Sequence, residues 1–308
     1  MDATDFTQYR PLMFSIAYRM TGSVSDAEDI VQEAFLRAAK AAKASEASEA
    51  AKAENPKAYL AAITTRLAID HLRSARVRRE SYVGTWLPEP LLNSEDDAPG
   101  PAELAETSDS LSMAFLVLLE SLSPPERAVF LLREVFGYRY PEIAEVTGKT
   151  EPACRQIFVR ARRGIDEGRP RFEASRAEGE ELTSLFLAAA RGGDLSSLIQ
   201  KLAPDVVFYG DNGGVFEGTF VSPLAGRDRV AEMLRGSLAR IAQLGAHFEA
   251  AWVNRQPGLV VRDAAGVMAV IAFDVLDGQV QAIRTVANPD KLRHLGPVSQ
   301  TWHPRRDD

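Results

Sequence analysis

Cysteine is almost absent: among 308 residues there is only Cys154. A lone thiol excludes an internal disulfide and a cysteine-rich zinc site, and it fits a reducing cytoplasm. Histidine is scarce too. His71, His247, His294 and His303 are scattered without ligand spacing, so no metal and no cofactor is implied. No apolar run approaches the ~20 residues of a membrane-spanning helix. The opening "MDATDFTQYR" is too polar for a signal peptide, so no membrane partner is expected. Net positive charge is also lacking. The chain carries a net charge of -7, which taken whole argues against a nucleic-acid binder. Domains can differ in sign, however, so charge must be read locally.

What is present is enough for two or three domains: 308 residues, 45% of them apolar. From Tyr9 to Ala39 the periodicity predicts helices, with Leu12, Ile16, Ala17 and Met20 on one face. Thr21-Gly22-Ser23 breaks them. Ser23 or Ser25 can cap the next helix, whose first turn carries Asp26, Glu28 and Asp29. Residues 38–54 are low-complexity Ala, Lys, Glu and Ser, read as a helical extension or a solvated insert. Asn55-Pro56 opens a long helix with Leu60, Ile63, Leu67 and Leu72 toward a core. It ends in Arg66, Arg73, Arg76, Arg78 and Arg79, and with Tyr59, Tyr82 and Trp86 nearby it suits a nucleic-acid backbone and stacked bases. Helices are expected again from Leu104 to Leu122.

Tyr138 to Ile165 carries the strongest local signal. A short helix, Tyr140 to Val146, ends at Gly148, and a second opens at Thr150: the helix-turn-helix outline. Cys154, Ile157, Phe158 and Ala161 form its buried side, leaving Arg155, Gln156, Arg160, Arg162 and Arg163 exposed. Arg and Gln can read base edges in a major groove, and further cations neutralise phosphates. Beyond a charged hinge the texture changes to two helices and then strands: "VVFYG", "HFEAAWVN", "GLVVRD", "GVMAVIAFDVLDG" and "QVQAIRTVAN", with an Asp277-Gly278 hairpin turn and one intervening helix.

These segments resemble a known family. "DAEDIVQEAFLR" (residues 26–37) is similar to region 2.2 of the extracytoplasmic-function (ECF) sigma factors of bacterial RNA polymerase. "NPKAYLAAITTRLAIDHLRSARVRR" resembles regions 2.3 and 2.4, and "LSPPERAVFLLREVFGYRYPEIAEVTGKTEPACRQIFVRARRGI" resembles region 4. The resemblance implies that Asp26, Asp29, Gln32, Glu33 and Arg37 dock on core RNA polymerase. It places Arg66, Asp70, His71, Arg73 and Arg76 at the −10 element, where a base is flipped out. Arg155, Gln156, Val159 and Arg160, with Arg162 and Arg163, fall at the −35 element of promoter DNA.

A subgroup of the family is marked by a Trp-Leu-Pro-Glu-Pro linker and a C-terminal SnoaL-like domain. Here that linker is Trp86, Leu87, Pro88, Glu89 and Pro90. "NPDKL", Asn288, Pro289, Asp290, Lys291 and Leu292, matches a second signature. "DNGGV" matches a third imperfectly: Asp211, Gly213 and Gly214 remain, Asn212 replaces a glycine and Val215 a lysine. The expected division is a region 2 domain (1–85), a linker (86–105), a region 4 helix-turn-helix domain (106–172), an α+β cone of curved sheet (181–295) and a tail (296–308). Burying Trp86 and Leu87 is worth about 1.5–3 kcal/mol each, and Pro88 and Pro90 reduce the entropy lost on docking. The linker is therefore expected to pack on a surface, either the C-terminal domain or the region 2 helices. No catalytic residue is expected of a sigma factor. The competing reading makes the cone an isomerase- or cyclase-type enzyme, or the site of an unidentified small ligand, with Asp205, Asp211 or Asp274 as base and Tyr209 or His247 as partner.

Overall fold

The computed structural model describes residues 3–45, 56–80, 82–93, 111–168, 175–192, 195–214 and 222–299. The chain forms two compact units. The first gathers Met1–Glu80, Pro99–Ser110 and Leu116–Arg169; the second gathers Ser81–Ala98, Leu111–Phe115 and Pro170–Asp308. Among the described residues no helix is long and apolar enough to cross a membrane.

The first unit is helical wherever it is described. Helices α1 (Ala3–Thr21), α2 (Val24–Ser45) and α3 (Pro56–Glu80) pack together around Met13, Ile16, Met20, Ile30, Ala34 and Leu60. Ser23 is the residue that caps α2: its Oγ accepts from the Asp26 amide at 3.0 Å. The first part of the Ala/Lys insert continues α2 to Ser45; residues 46–54 lie outside the described residues. On α3 two of the four residues expected to face the core, Leu60 and Leu72, are buried. Ile63 and Leu67 are only half-buried, while Thr64 and Thr65 are sealed in the core. Each threonine hydroxyl donates to the carbonyl four residues back, Leu60 and Ala61, at 2.8 Å. That bond removes the penalty for burying a hydroxyl.

After α4 (Met113–Leu119) come α5 (Pro124–Glu134), α6 (Tyr140–Thr147) and α7 (Glu151–Gly168). Ser123 and Glu126 close the start of α5: the Ser123 amide and Oγ both donate to Glu126 Oε2, at 3.1 and 2.6 Å. Gly148, at φ 65°, ends α6 in the left-handed conformation and turns the chain into α7. Residues 104–110, expected to be helical, lie outside the described residues.

The second unit is α+β. Strands β1 (Leu92–Asn93), β2 (Leu202–Asp211), β3 (Leu224–Ala225), β4 (His247–Val253), β5 (Gln256–Asp263), β6 (Gly266–Leu276) and β7 (Gln279–Val286) form one sheet in the order β1-β4-β5-β6-β7-β2-β3. All pairs are antiparallel except β2 with β7. Asp277 and Gly278, both at positive φ, make the β6–β7 hairpin turn. Side chains alternate across the sheet. Ala269, Ile271 and Ile283 join one core with Phe186 of α8 (Arg176–Ala190), Leu198 of α9 (Leu195–Gln200) and Val230 and Leu234 of α10 (Arg227–Gln243). Asp274, Arg284 and Gln256 belong to the other face, where segment 111–115 is tied down by the Met113 amide donating to Gln256 Oε1 at 2.9 Å. β1 comes from the linker itself, which the sequence showed only as an extended stretch.

Candidate nucleic-acid interface and linker clasp

Helix α7 buries Cys154, Ile157, Phe158 and Ala161 against α5 and α6, and so turns Arg155, Gln156, Val159 and Arg160 outward together. Val159 is 65% exposed in the middle of this face. Leaving a bare valine among cations is unfavourable in water and useful beside a thymine methyl. Arg155 stacks over the Tyr140 ring at 4.5 Å and pairs with Glu151, which holds its guanidinium over the start of the helix. Arg162 and Arg163 lean on Asp166 and Glu167 at 3.5 and 3.0 Å, pairs in high dielectric that DNA phosphates can displace.

On α2, Asp29, Gln32 and Arg37 are exposed in one stripe with Leu36, itself 46% exposed; Glu33 receives Arg37 Nε at 2.7 Å. Asp26, on the same side of the helix but half-buried, lies 3.1 Å from His71 Nε2 of α3. On α3, Asp70 and Arg73 are exposed and form a loose pair at 3.4 Å, and Arg76 lies in the last turns of the helix. Arg66 is differently engaged. Its Nε and Nη2 donate to the Val146 and Glu145 carbonyls at 2.9 and 2.8 Å, at the C-terminal end of α6, where the helix dipole favours a cation. Arg127 of α5 makes a matching bridge, donating to the Met20 carbonyl of α1 at 2.5 Å and to Glu120 at 2.6 Å. The bonds of Arg66 to α6 and of Arg127 to Met20 join elements far apart in sequence, and sequence periodicity carries no signal for either.

The linker residues converge with the two C-terminal signatures in the second unit. Leu87 is fully buried, and Pro88, Glu89 and Pro90 are buried beside it. The centre is Asp211. Its carboxylate accepts from the Leu87 amide at 2.8 Å, the Lys291 ammonium at 2.6 Å, the Gly213 amide at 3.1 Å and the Tyr82 hydroxyl. Lys291 also donates to the Leu87 carbonyl at 2.5 Å and lies 4.8 and 4.5 Å from the ring centres of Tyr82 and Trp86. Asn288 donates to Tyr82 Oη at 2.9 Å and caps the turn Pro289–Lys291 through Asp290. Burial first, and then the Asp211 charge, push the Tyr82 phenol far above its ordinary value, so it stays protonated and donates. Leu292 is fully buried behind the turn, and Asp290 is exposed and paired with Arg293 at 2.5 Å. The two glycines are required by space: a Cβ on Gly213 would stand 2.7 Å from Asn288, and one on Gly214 would stand 3.0 Å from Val83. Val215 lies outside the described residues.

Tyr82 and Trp86 thus wall the Lys291 site. Asp211 is 1% exposed and paired. The other candidate bases are equally engaged or remote. Asp274 accepts from Arg284 at 2.9 Å and Gln256 at 2.6 Å, and Arg284 lies over the Tyr209 ring at 4.5 Å. Asp205 is exposed at an irregularity of β2, and His247 pairs with Glu249 on the exposed end of β4. Among the described residues no group of three His, Cys, Asp or Glu side chains could hold a metal ion.

Residues 6–78 match the family model for Sigma-70 region 2, and residues 112–164 match that for Sigma-70, region 4. The chain is 37% identical to the ECF RNA polymerase sigma factor SigJ of Mycobacterium tuberculosis, covering 95% of this chain and 93% of that protein. It is 30% identical to the probable ECF RNA polymerase sigma factor SigI of the same organism, covering 93% of each. The crystal structure of Mycobacterium tuberculosis SigJ superposes with a TM-score of 0.72 at 33% identity, over 95% of this chain and 98% of that one.

Proposed function

The chain belongs to the ECF sigma factors of RNA polymerase, which direct promoter-dependent transcription initiation, and on that footing we propose how its surfaces divide the work. The α2 stripe of Asp29, Gln32, Glu33 and Arg37 docks on core polymerase, with Asp26 holding His71 at its border. The α3 residues Asp70, His71, Arg73 and Arg76 open and read the −10 element. The outward face of α7 reads the −35 element in the major groove. Arg66 joins the −10 surface once it leaves the α6 carbonyls. The observation that carries this reading is the presentation of Arg155, Gln156, Val159 and Arg160 on the exposed side of a helix whose other side is fully packed.

The second unit acts on transcription through the linker. Asp211 and Lys291 grip Leu87 by its backbone, so the grip depends on chain position and excludes water. It is read as regulatory and not catalytic, because Asp211 and Asp274 are neutralised by Lys291 and Arg284 and present no poised base. The test is transcription by core polymerase on genomic DNA with mapping of RNA 5′ ends, using full-length, 1–287 and 1–171 proteins. Shared upstream motifs at the new start sites are expected, with different output from the three chains. Start sites without a common −35 motif defeat the α7 assignment. Equal output from all three chains defeats the regulatory one.

A further inference from the structure

The turn between β4 and β5 consists of Asn254 and Arg255, at φ 51° and 61°. Positive φ at both places suits a two-residue hairpin, and asparagine tolerates it well. That accounts for the residue type and not for the use made of its side chain. Asn254 is fully buried. Its Oδ1 accepts from the Leu91 amide at 2.9 Å, and its Nδ2 donates to the Leu111 carbonyl at 2.9 Å. Its own amide donates to the Leu91 carbonyl at 2.8 Å. Leu91 directly follows the Trp-Leu-Pro-Glu-Pro stretch, and Leu111 directly precedes the residues that match region 4. One carboxamide thus holds both ends of the chain between them, about 8 Å apart or less. The far end is secured further. Residues 111–115 are all buried, the Met113 amide donates to Gln256 Oε1 at 2.9 Å, and Gln256 donates to Asp274 at 2.6 Å.

We infer that Asn254 is a positioning residue that limits the reach of the linker and makes its two ends leave together. The 19 residues between Leu91 and Leu111, 92–110, can span ~65 Å when fully extended. The −10 and −35 elements lie about 25 base pairs apart, which is about 85 Å of duplex. Clasped at both ends by one side chain, the linker supplies almost none of its length. The same clasp couples the ends. Departure of either one leaves half of a buried carboxamide unpaired, which is unfavourable until water reaches it, and that water competes for the other end. The inference rests on the regulatory reading of the second unit only for its effect on transcription. Amide exchange reads the coupling without polymerase, so the two fail separately.

The experiment follows amide exchange by mass spectrometry in the full chain, on peptides 87–93 and 111–115, with 268–275 of β6 as reference. In wild type under rising, sub-denaturing urea the first two peptides should exchange through one opening with the same urea dependence. Asn254→Gly keeps the turn and removes the carboxamide. It should speed exchange of both peptides about tenfold or more, with the reference unmoved. Asn254→Asp keeps the acceptor for Leu91 and loses the donor to Leu111, and it should still speed both. Leu87→Ala, a change at the linker end alone, should speed 111–115 as well. Unequal urea dependence in wild type overturns the coupling, and so does a 111–115 peptide that Leu87→Ala leaves unmoved. Unchanged exchange of both peptides in Asn254→Gly overturns the positioning role. If the variants also speed the β6 reference, the wild-type urea series decides alone.

Discussion

Lys291 Nζ lies 2.6 Å from Asp211 Oδ2, and the Asp211 side chain has no exposed surface. Removing one member of such a pair strands a buried charge and should cost about 3–5 kcal/mol. Asp211→Asn and Lys291→Met are each expected to destabilise the second unit on that scale. The double variant should lose less than the sum of the two. Denaturant unfolding of the four proteins measures this, and strict additivity would show that the two groups do not depend on each other.

Leu87→Ala removes a fully buried side chain from the linker. About 2–5 kcal/mol should be lost from docking or from the unit as a whole. Trp86→Ala should cost less, because the ring is only half-buried, yet it also removes the face over Lys291. Limited proteolysis between residues 82 and 93 should accelerate in both variants, while the helical circular-dichroism signal persists. An unchanged cleavage rate contradicts a docked linker.

Arg155→Ala and Arg160→Ala should each weaken −35 binding by about 1–3 kcal/mol and relax preference at one position. Arg163→Ala, farther along α7, should weaken binding uniformly and reduce its salt dependence. Footprints on variant promoters distinguish the two kinds of loss.

Asp29→Lys with Glu33→Lys reverses charge on the exposed stripe of α2 without touching its core side. Co-purification with core polymerase should be abolished while the protein stays folded. Retained co-purification removes this stripe from the interface.

Glu126 is held below the usual carboxylate range, first by the Ser123 hydroxyl, against some burial, and then by the Ser123 amide and the charge of Arg160. A carboxylate lowered in the folded state adds stability above its unfolded pKa, about 4.3 for Glu. That contribution is lost as pH falls through the folded value. Glu126→Gln should therefore be less stable than wild type near neutrality and approach it in acid. A stability gap that is constant between pH 7 and pH 3 contradicts the role of the charge.

Much of this molecule can be read from the sequence because its signals are local. The α6–α7 turn is marked by Gly148, the β6–β7 hairpin by Asp277-Gly278, and the outward face of α7 by spacing alone. The partners that lie far away in sequence leave no such trace. Nothing near Arg66 announces the Val146 carbonyl eighty residues on, and nothing near Tyr82 announces Asp211. The buried threonines of α3 show a different failure: residue type marks them as polar, and the bond to the preceding turn makes them behave as core. Lys291 is the extreme case, a cation accommodated only because two aromatic rings, a carbonyl and a carboxylate meet around it.

Strand β1 carries a consequence of its own. Leu92 and Asn93 pair with Val253 and Trp252, the Leu91 carbonyl accepts from the Asn254 amide at 2.8 Å, and Asn93 Oδ1 accepts from the Arg255 amide at 2.7 Å. The linker thus covers one end of the outer rim of β4, which would otherwise offer unpaired backbone groups to any extended chain. If the linker leaves this site, the rim of β4 is bared, and pairing with a second molecule through β4 then competes with return of the linker. That competition grows with protein concentration, so a freed linker and self-association are tied to each other by mass action.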